Sequence, residues 1–342
     1  INTKSVCTNQ GFKNLVPSKQ VNIEYLYFCL KSNIQQLQAK GNGATFKELS
    51  KSSVEDFTIP LPPLDDQIRI ANLLSKVGRL IFQRKQHLKQ LDELLKSVFL
   101  EMFGATNPSS EEWPLVEIRT LAAKHKGAMR TGPFGSNLLH SEFTPDGDVA
   151  VLGIDNAVQN HFAWGERRFI TNEKYKELES YRIFPGDVII TIMGTIGRSA
   201  VIPDDIPLAI NTKHLAAITV DKKLVHPVFL SYSIRSDPFI LNQFKNKDRG
   251  AIMSGLNLTI IKETNLRKPP IELQNQFAVI VEKIEGIKVR YQASLAELER
   301  LYGVLSQQAF KGELDLSRVT LPASTTPLPC YPKQHTLAGM TS

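Results

Sequence analysis

Residues 25–103 lie on residues 232–310 at a constant offset of 207, with no gap and fifteen identical positions, among them Tyr25/Tyr232, Gly43/Gly250, Ala44/Ala251, Pro62/Pro269, Pro63/Pro270, Gln67/Gln274, Ala71/Ala278, Leu91/Leu298 and Phe103/Phe310. Such self-similarity marks a duplication. A period near 200 residues is far too long for a solenoid unit, so the chain is two copies of one domain-plus-helix unit. The second copy runs from about Trp113 to Gly312. The first holds only the counterpart of its final half, which predicts that about 90 residues precede Ile1 in the complete unit.

Each copy repeats one order: a mixed domain, a Pro-Pro stop, then a long helix. After Leu61-Pro62-Pro63 come Ile70, Leu74, Val77, Ile81, Arg84, Leu88, Leu91, Leu95, Val98 and Met102, at alternating steps of four and three. After Pro269-Pro270 come Phe277, Val281, Ile284, Lys288, Tyr291, Leu295, Leu298, Tyr302, Leu305 and Ala309 at the same steps. Both are heptad seams, interrupted near the middle by Arg84 and Lys288. A helix of ~40 residues is about 60 Å long and needs a partner along its apolar stripe. The two are expected to pair with each other, antiparallel because a domain separates them in sequence. Leu73, Leu80 and Leu94 widen the first stripe, for further core contact or for another protein.

Between the helices, residues 113–268 alternate β-branched runs with loops. Strands are predicted at Asp148–Gly153, Asp187–Met193 and Leu215–Val220, and helices at Glu173–Tyr181 and Pro227–Lys245. The fold class is therefore α+β: target domains of mixed strands and helices, separated by two long antiparallel coiled-coil helices. The predicted boundaries are a domain remnant at 1–62, a first long helix at 63–104, a second domain at 113–268, a second helix at 269–312, and a disordered tail at 313–342, which is rich in Pro, Thr and Ser.

Composition narrows the function. With 42% apolar and 22% charged residues, the 342-residue chain is an ordinary globular protein. Its 41 Lys and Arg against 34 Asp and Glu give +7 and a pI near 9.2, favouring a polyanion such as nucleic acid. The excess follows the mixed domains: 20 against 16 over 113–268 and 7 against 4 over 1–63, but 6 against 7 over 269–318. Cys7, Cys29 and Cys330 lie far apart and suggest neither a disulfide framework nor a zinc site. Without a membrane-length apolar run or signal-peptide pattern, a cytoplasmic protein with reduced thiols is expected.

No catalytic set is visible. An Asn/Asp-Pro-Pro-aromatic loop for a flipped base and a Gly-rich turn for adenosylmethionine are both missing. Arg130-Thr-Gly-Pro-Phe-Gly-Ser136 lacks the Gly-Lys-Ser/Thr end of a phosphate cradle and reads as a structural turn. Asp221-Lys222-Lys223 has no acidic partner upstream and reads as a solvated turn. His140, His161, His214 and His226 show no triad or metal spacing, as expected of surface or satisfied core groups. No cofactor is expected.

A basic, duplicated protein with two domains on a helical spacer suggests bipartite DNA reading, each domain taking one half-site. The segments Gly43-Ala-Thr-Phe46, Ile59-Pro-Leu-Pro-Pro-Leu64, Gln67-Ile-Arg-Ile-Ala71, Leu91-Asp-Glu-Leu-Leu95 and Phe99-Leu-Glu-Met-Phe-Gly104 then resemble the first central helix region of specificity subunits of type I restriction-modification systems. Thr131-Gly-Pro-Phe-Gly-Ser136, Gly186-Asp-Val188, Gly194-Thr-Ile-Gly197 and Asn211-Thr-Lys-His-Leu215 resemble a target recognition domain of that family. The resemblance implies a non-catalytic subunit that binds double-stranded DNA with a split target. It also implies methyltransferase (M) subunits, which methylate adenine, and translocase-nuclease (R) subunits, which cleave using ATP. Two other classes stay open, a coiled-coil adaptor without DNA binding and a nuclease or methyltransferase whose motifs precede Ile1. The candidate DNA contacts are Lys245, Lys247 and Arg249 beside Gly250-Ala251, Lys40 as the counterpart of Lys247, and Arg130 and Lys213 in the recognition-domain segments. Recognised bases have no sequence signature.

Overall fold

Asn22 opens the first helix by accepting the backbone N–H groups of Glu24 and Tyr25, the Asx cap that satisfies otherwise orphaned donors. In a computed structural model that describes residues 1–2, 4–41, 48–248 and 255–321, the helices are α1 (Ile23–Ser32), α2 (Ile34–Ala39), α3 (Lys51–Glu55), α4 (Leu64–Phe103), α5 (Asn172–Leu178), α6 (Pro227–Ser236), α7 (Pro238–Asp248), α8 (Leu258–Lys262) and α9 (Ile271–Lys311). The strands are β1 (Leu115–Glu117), β2 (Met129–Thr131), β3 (Val149–Leu152), β4 (Phe169–Ile170), β5 (Arg182–Ile183), β6 (Val188–Thr191), β7 (Ser199–Val201), β8 (Ala209–Asn211), β9 (Leu215–Ile218) and β10 (Asn265–Arg267). Contacts divide the chain into two units, residues 1–89 with 288–342, and residues 90–287. Each unit takes part of both long helices.

In the first unit, Tyr25, Phe28 and Cys29 of α1 pack with Ile70, Ala71 and Leu74 of α4 and with Tyr302, Leu305, Ala309 and Phe310 of α9. The start of α4 thus meets the end of α9, as in an antiparallel pair. Further along, Arg84 lies 4.2 Å over the Tyr291 ring and Lys85 pairs with Glu299 at 2.7 Å. Burial pushes the Cys29 thiol up to about 11 and, with Cys29 beside it, the Tyr25 phenol up to about 12; the Tyr25 hydroxyl donates to the Pro60 carbonyl at 2.9 Å. Leu314 and Leu316 join this core. The stretch just after α9, expected within a disordered tail, is therefore anchored by its apolar side chains, and residues 322–342 lie outside the described residues.

In the second unit the end of α4 meets the start of α9: Phe99 and Phe103 pack edge-to-face on Phe277, and with Phe229 and Tyr232 of α6 they form an aromatic core. Each buried Phe contributes roughly 1.5–3 kcal/mol. This core covers one face of the antiparallel sheet β2-β9-β6-β7. Alternation then sets the layers. Val188, Ile190, Ala216 and Ile218 point at the helices, while Ile189, Leu215 and Ala217 point at a second sheet, β4-β3-β8-β5, through its Ala150, Leu152 and Ala209. Val149 and Val151 face away, onto Leu178 and Tyr175 of α5. Both faces of β3, β6 and β9 are buried, which is why these strands read as unbroken apolar runs. β1 pairs with β10, tying the domain entrance to its exit.

Two expectations are corrected. The helix predicted over Pro227–Lys245 is two helices: Asp237 is extended (φ −76°, ψ 115°) because it precedes Pro238, and its carboxylate accepts the Phe239 N–H at 2.9 Å. The repeat is not gapless either. α3 and α8 start at Lys51 and Leu258, and α4 and α9 at Leu64 and Ile271, at the offset of 207, but α1 and α6 start at Ile23 and Pro227, an offset of 204. Tyr25 is therefore the counterpart of Phe229, not of Tyr232. The Tyr25 ring packs against Phe310 with centroids 5.5 Å apart, as the Phe229 ring packs edge-on against Phe103 at 4.8 Å.

Candidate nucleic-acid interface

Strand direction brings four loops of the second unit to one end. β3 and β8 are parallel, so the segments that follow them, 153–168 and 212–214, emerge side by side. Thr212 donates its N–H to the Leu152 carbonyl at 2.9 Å. β9 starts at this same end and pairs antiparallel with β2 and β6, through Thr131–Ala216 and Thr191–Leu215. The segments after β2 (132–140) and after β6 (192–198) therefore leave here as well. Ile192 donates to the His214 carbonyl at 3.0 Å, and its own carbonyl accepts the Leu256 N–H at 3.0 Å. The end of the α7–α8 connection thus returns to the same place.

Glycines permit these close approaches. A Cβ on Gly132 would lie 2.1 Å from the Asn211 carbonyl oxygen. Gly194 and Gly197, at φ +72° and +78°, turn the 192–198 loop back on itself, and Thr191 closes it by accepting the Arg198 N–H at 3.0 Å. Three of the four recognition-like segments, Thr131–Ser136, Gly194–Gly197 and Asn211–Leu215, thus meet at one end.

The exposed side chains here include basic and aromatic ones. Lys213 and Arg198 are exposed, and Arg167 lies over the Trp164 ring at 5.1 Å. Phe134 is 52% and Trp164 40% exposed. Between the loops lies a cavity of about 680 Å³ lined by Pro133, Phe143, Ile154, Asp155, Arg168 and His214, among others. Arg168 pairs with Asp155. Burial, and then the charges of Lys213 and Arg168, hold the His214 imidazole below its ordinary range, so the site opposes a further positive charge.

The candidate residues fall differently. Lys213 sits at the convergence. Lys245 is exposed and follows Phe244, whose ring is 3.8 Å from where a Cβ of Gly197 would stand. Lys247 lies on the last turn of α7, and its side chain, like Arg249, Gly250-Ala251 and Gly43-Ala44, is outside the described residues. Lys40 caps the C-terminus of α2 in the other unit, exposed, with its Nζ 5.7 Å from the Phe57 ring.

Arg130 is a correction. Its side chain is 6% exposed and pairs with the buried Asp187. It also donates to the carbonyls of Arg182 (2.8 Å) and Gly127 (3.2 Å) and to Thr219 Oγ1 (3.0 Å). A guanidinium buried inside the sheet, with four of its five N–H groups bonded there, is not accessible to a phosphate or base. The segment it heads is a structural turn, and the Gly186-Asp-Val188 segment supplies its partner.

The histidines part company too. His140 and His214 line the one cavity, whereas His226 caps α6 by accepting the Val228 N–H at 3.2 Å. Asp221 forms a turn, accepting the Lys223 N–H at 3.0 Å. Arg167, Arg198 and Trp164 lie in no motif and Phe134 lies inside the Thr131–Ser136 segment, but it is their common exposure at the convergent end that singles them out. Among the described residues no cluster of three His, Cys, Asp or Glu side chains could hold a metal, and no helix is long and apolar enough to cross a membrane.

Residues 1–92 and 111–300 match the family model of the type I restriction modification DNA specificity domain. The specificity subunit of the type I restriction enzyme EcoBI from Escherichia coli is 23% identical over 335 residues, 87% of this chain and 67% of that protein. That of MjaIX from Methanocaldococcus jannaschii is 37% identical over 98 residues, 28% of this chain and 22% of that protein. Among solved structures, the S subunit of a type I restriction-modification system from M. genitalium superposes with a TM-score of 0.54 at 15% identity, covering 85% of this chain and 73% of that one, a likeness of fold.

Proposed function

The chain belongs to the type I restriction modification DNA specificity family, and from that membership we propose that it reads duplex DNA for a restriction-modification complex. Its second unit presents one half-site reader, and the exposed end of the two sheets is the reading surface. The carrying observation is the convergence of loops from β2, β3, β6 and β8 with exposed Lys213 and Arg198 and exposed Phe134 and Trp164. Lysines there contact phosphates and fix register, and polar loop side chains read base edges. The chain itself performs no chemistry. Methyltransferase subunits docked on the long helices methylate adenine in the split target, and translocase-nuclease subunits joining the complex cleave the DNA. Lys245, next to the Phe244 that packs near Gly197, is a second contact beside the 192–198 loop, and Lys247, Arg249 and, in the first unit, Lys40 are further candidate contacts, although α2 and α7 start at an offset of 204, which pairs Lys40 with Phe244 and not with Lys247.

The test is DNA affinity against salt for the chain assembled with its methyltransferase subunits, on specific and scrambled duplexes. Lys213→Ala and Lys245→Ala are each expected to lower the log–log salt slope by ~0.9, equally for both sequences. Arg249→Ala is expected to cost ~1–3 kcal/mol at one base position if its fork grips guanine. Unchanged affinity and slope in the combined Lys213, Lys245, Lys247 and Arg249 alanine variant would place the DNA elsewhere.

A further inference from the structure

Most arginines of the second unit are already engaged. Arg119, Arg130 and Arg168 pair with carboxylates. Arg167, Arg182 and Arg235 lie over the rings of Trp164, Phe184 and Tyr232, and Arg267 donates to the Ser110 carbonyl at 3.0 Å. Among the described arginines of this unit, Arg198 alone has an exposed side chain with no such partner. Its N–H donors all remain for a ligand.

The backbone of Arg198, by contrast, is held closely. Thr191 donates its N–H to the Arg198 carbonyl at 2.8 Å, and Thr191 Oγ1 accepts the Arg198 N–H at 3.0 Å. The same hydroxyl donates to the Thr195 carbonyl, and Gly197 donates its N–H to the Thr191 carbonyl at 3.0 Å. These bonds close the β6–β7 hairpin upon the buried Thr191. On the next residue, the Ser199 N–H donates to Asn160 Oδ1 at 3.3 Å, which ties the hairpin to the segment that follows β3. Arg198 is thus a free guanidinium on a fixed root, at the end where the loops converge.

That combination suits a base edge better than a phosphate. A phosphate contact asks only for charge within reach, which a flexible lysine such as Lys213 supplies. A base edge asks for donors held to within roughly 0.5 Å. Of the four bases, only guanine presents two acceptors in the major groove, O6 and N7, and the planar fork of an arginine matches them.

We propose that Arg198 reads a guanine in the half-site taken by the second unit, its fork donating to O6 and N7 from the major groove. The inference deepens the reading of this end as the DNA surface and rests on it. It makes Arg198 the specificity-determining residue at one base pair.

The test begins by selecting duplexes from a random pool with the chain assembled with its methyltransferase subunits. The preferred duplex is expected to carry a guanine that the wild type distinguishes from other bases by about tenfold or more in affinity. Arg198→Ala should accept any base at that position and keep its preferences elsewhere. Arg198→Lys keeps the charge without the fork, so its salt dependence should stay while the guanine preference falls. Replacing that guanine by 7-deazaguanine, which lacks the N7 acceptor, should weaken the wild type about tenfold and leave Arg198→Ala unaffected. Because the side chain is exposed, both variants should melt as the wild type does. A loss equal at all sequences in Arg198→Ala, with a salt slope lower by ~0.9, would make Arg198 a phosphate contact and overturn the proposal while leaving DNA reading intact. So would relaxation at an A·T pair, a wild type indifferent to 7-deazaguanine, or a preferred sequence that neither variant changes. A selection that yields no preferred duplex would remove the DNA surface and the guanine contact together.

Discussion

Arg84 and Tyr291 stand at the same position in the two copies of the repeat, 207 residues apart, and they touch, with the guanidinium carbon 4.2 Å from the ring centroid. In an antiparallel pair, equivalent positions meet only at the local twofold between the helices. The duplication has therefore diverged here: one copy supplies a cation and the other a ring to receive it. His87 adds a second contact to Tyr291, with ring centroids 5.8 Å apart. A double-mutant cycle of Arg84→Ala and Tyr291→Ala is expected to give a coupling of about 0.5–1 kcal/mol in urea denaturation. Additive effects would mean the contact contributes nothing beyond packing.

Neighbouring leucines of α4 should respond oppositely to the same change. Leu95 is 2% exposed among Phe99, Phe229 and Phe277, whereas Leu94 is 47% exposed. Leu95→Asp buries a carboxylate in that core and should cost several kcal/mol, with loss of helix signal on mild heating. Leu94→Asp should leave melting within a few degrees of wild type.

Gln67 and Gln274 close the two copies in the same way. Gln67 accepts the Asn22 N–H at 2.8 Å and donates to the Pro62 carbonyl at 2.8 Å; Gln274 accepts the His226 N–H at 2.9 Å and donates to the Pro269 carbonyl at 2.8 Å. Each fastens the cap residue of α1 or α6 to the Pro-Pro stop. Replacing either by Leu strands two buried backbone groups and should cost about 1–3 kcal/mol in chemical denaturation.

Removing one member of the Arg130–Asp187 pair leaves a buried charge unpaired. Arg130→Met alone should cost about 3–5 kcal/mol. Adding Asp187→Leu should recover part of that, read as a rise in Tm over the single variant. A residue whose main role was DNA contact would instead change affinity with little effect on stability.

Acid should loosen the α6 cap. Burial, then the nearby Lys222, hold the His226 imidazole below its ordinary value of about 6.5. As pH falls through ~6.5 the unfolded chain takes up this proton first, so the unfolded state is favoured and stability drops. Protonation of Nδ1 would also end its acceptance of the Val228 N–H. The expected result is a stability loss below pH ~6.5 that is reduced in His226→Asn, since Asn caps without titrating there.

The sequence determined the elements whose signal is local or periodic. Two seams of steps four and three fix α4 and α9, and the Pro-Pro pairs fix their starts. Unbroken apolar runs fix β3, β6 and β9, because side chains covered on both faces leave no polar alternation. Pro238 could have been read as a break between α6 and α7, since the residue before a proline disfavours the helix. Only the tertiary structure decided the rest. The offset of 204 at α1 and α6 shows in which ring meets Phe103 or Phe310, and identity at one register concealed it. Arg130 and Lys213 are both basic residues in recognition-like segments. Their fates separate because one side chain enters a sheet beside Asp187 and the other leaves a strand end. Charge is a property of the residue, but access to a partner depends on which strands are neighbours, and β2, β3, β6 and β8 become neighbours only through pairings between residues far apart in the chain.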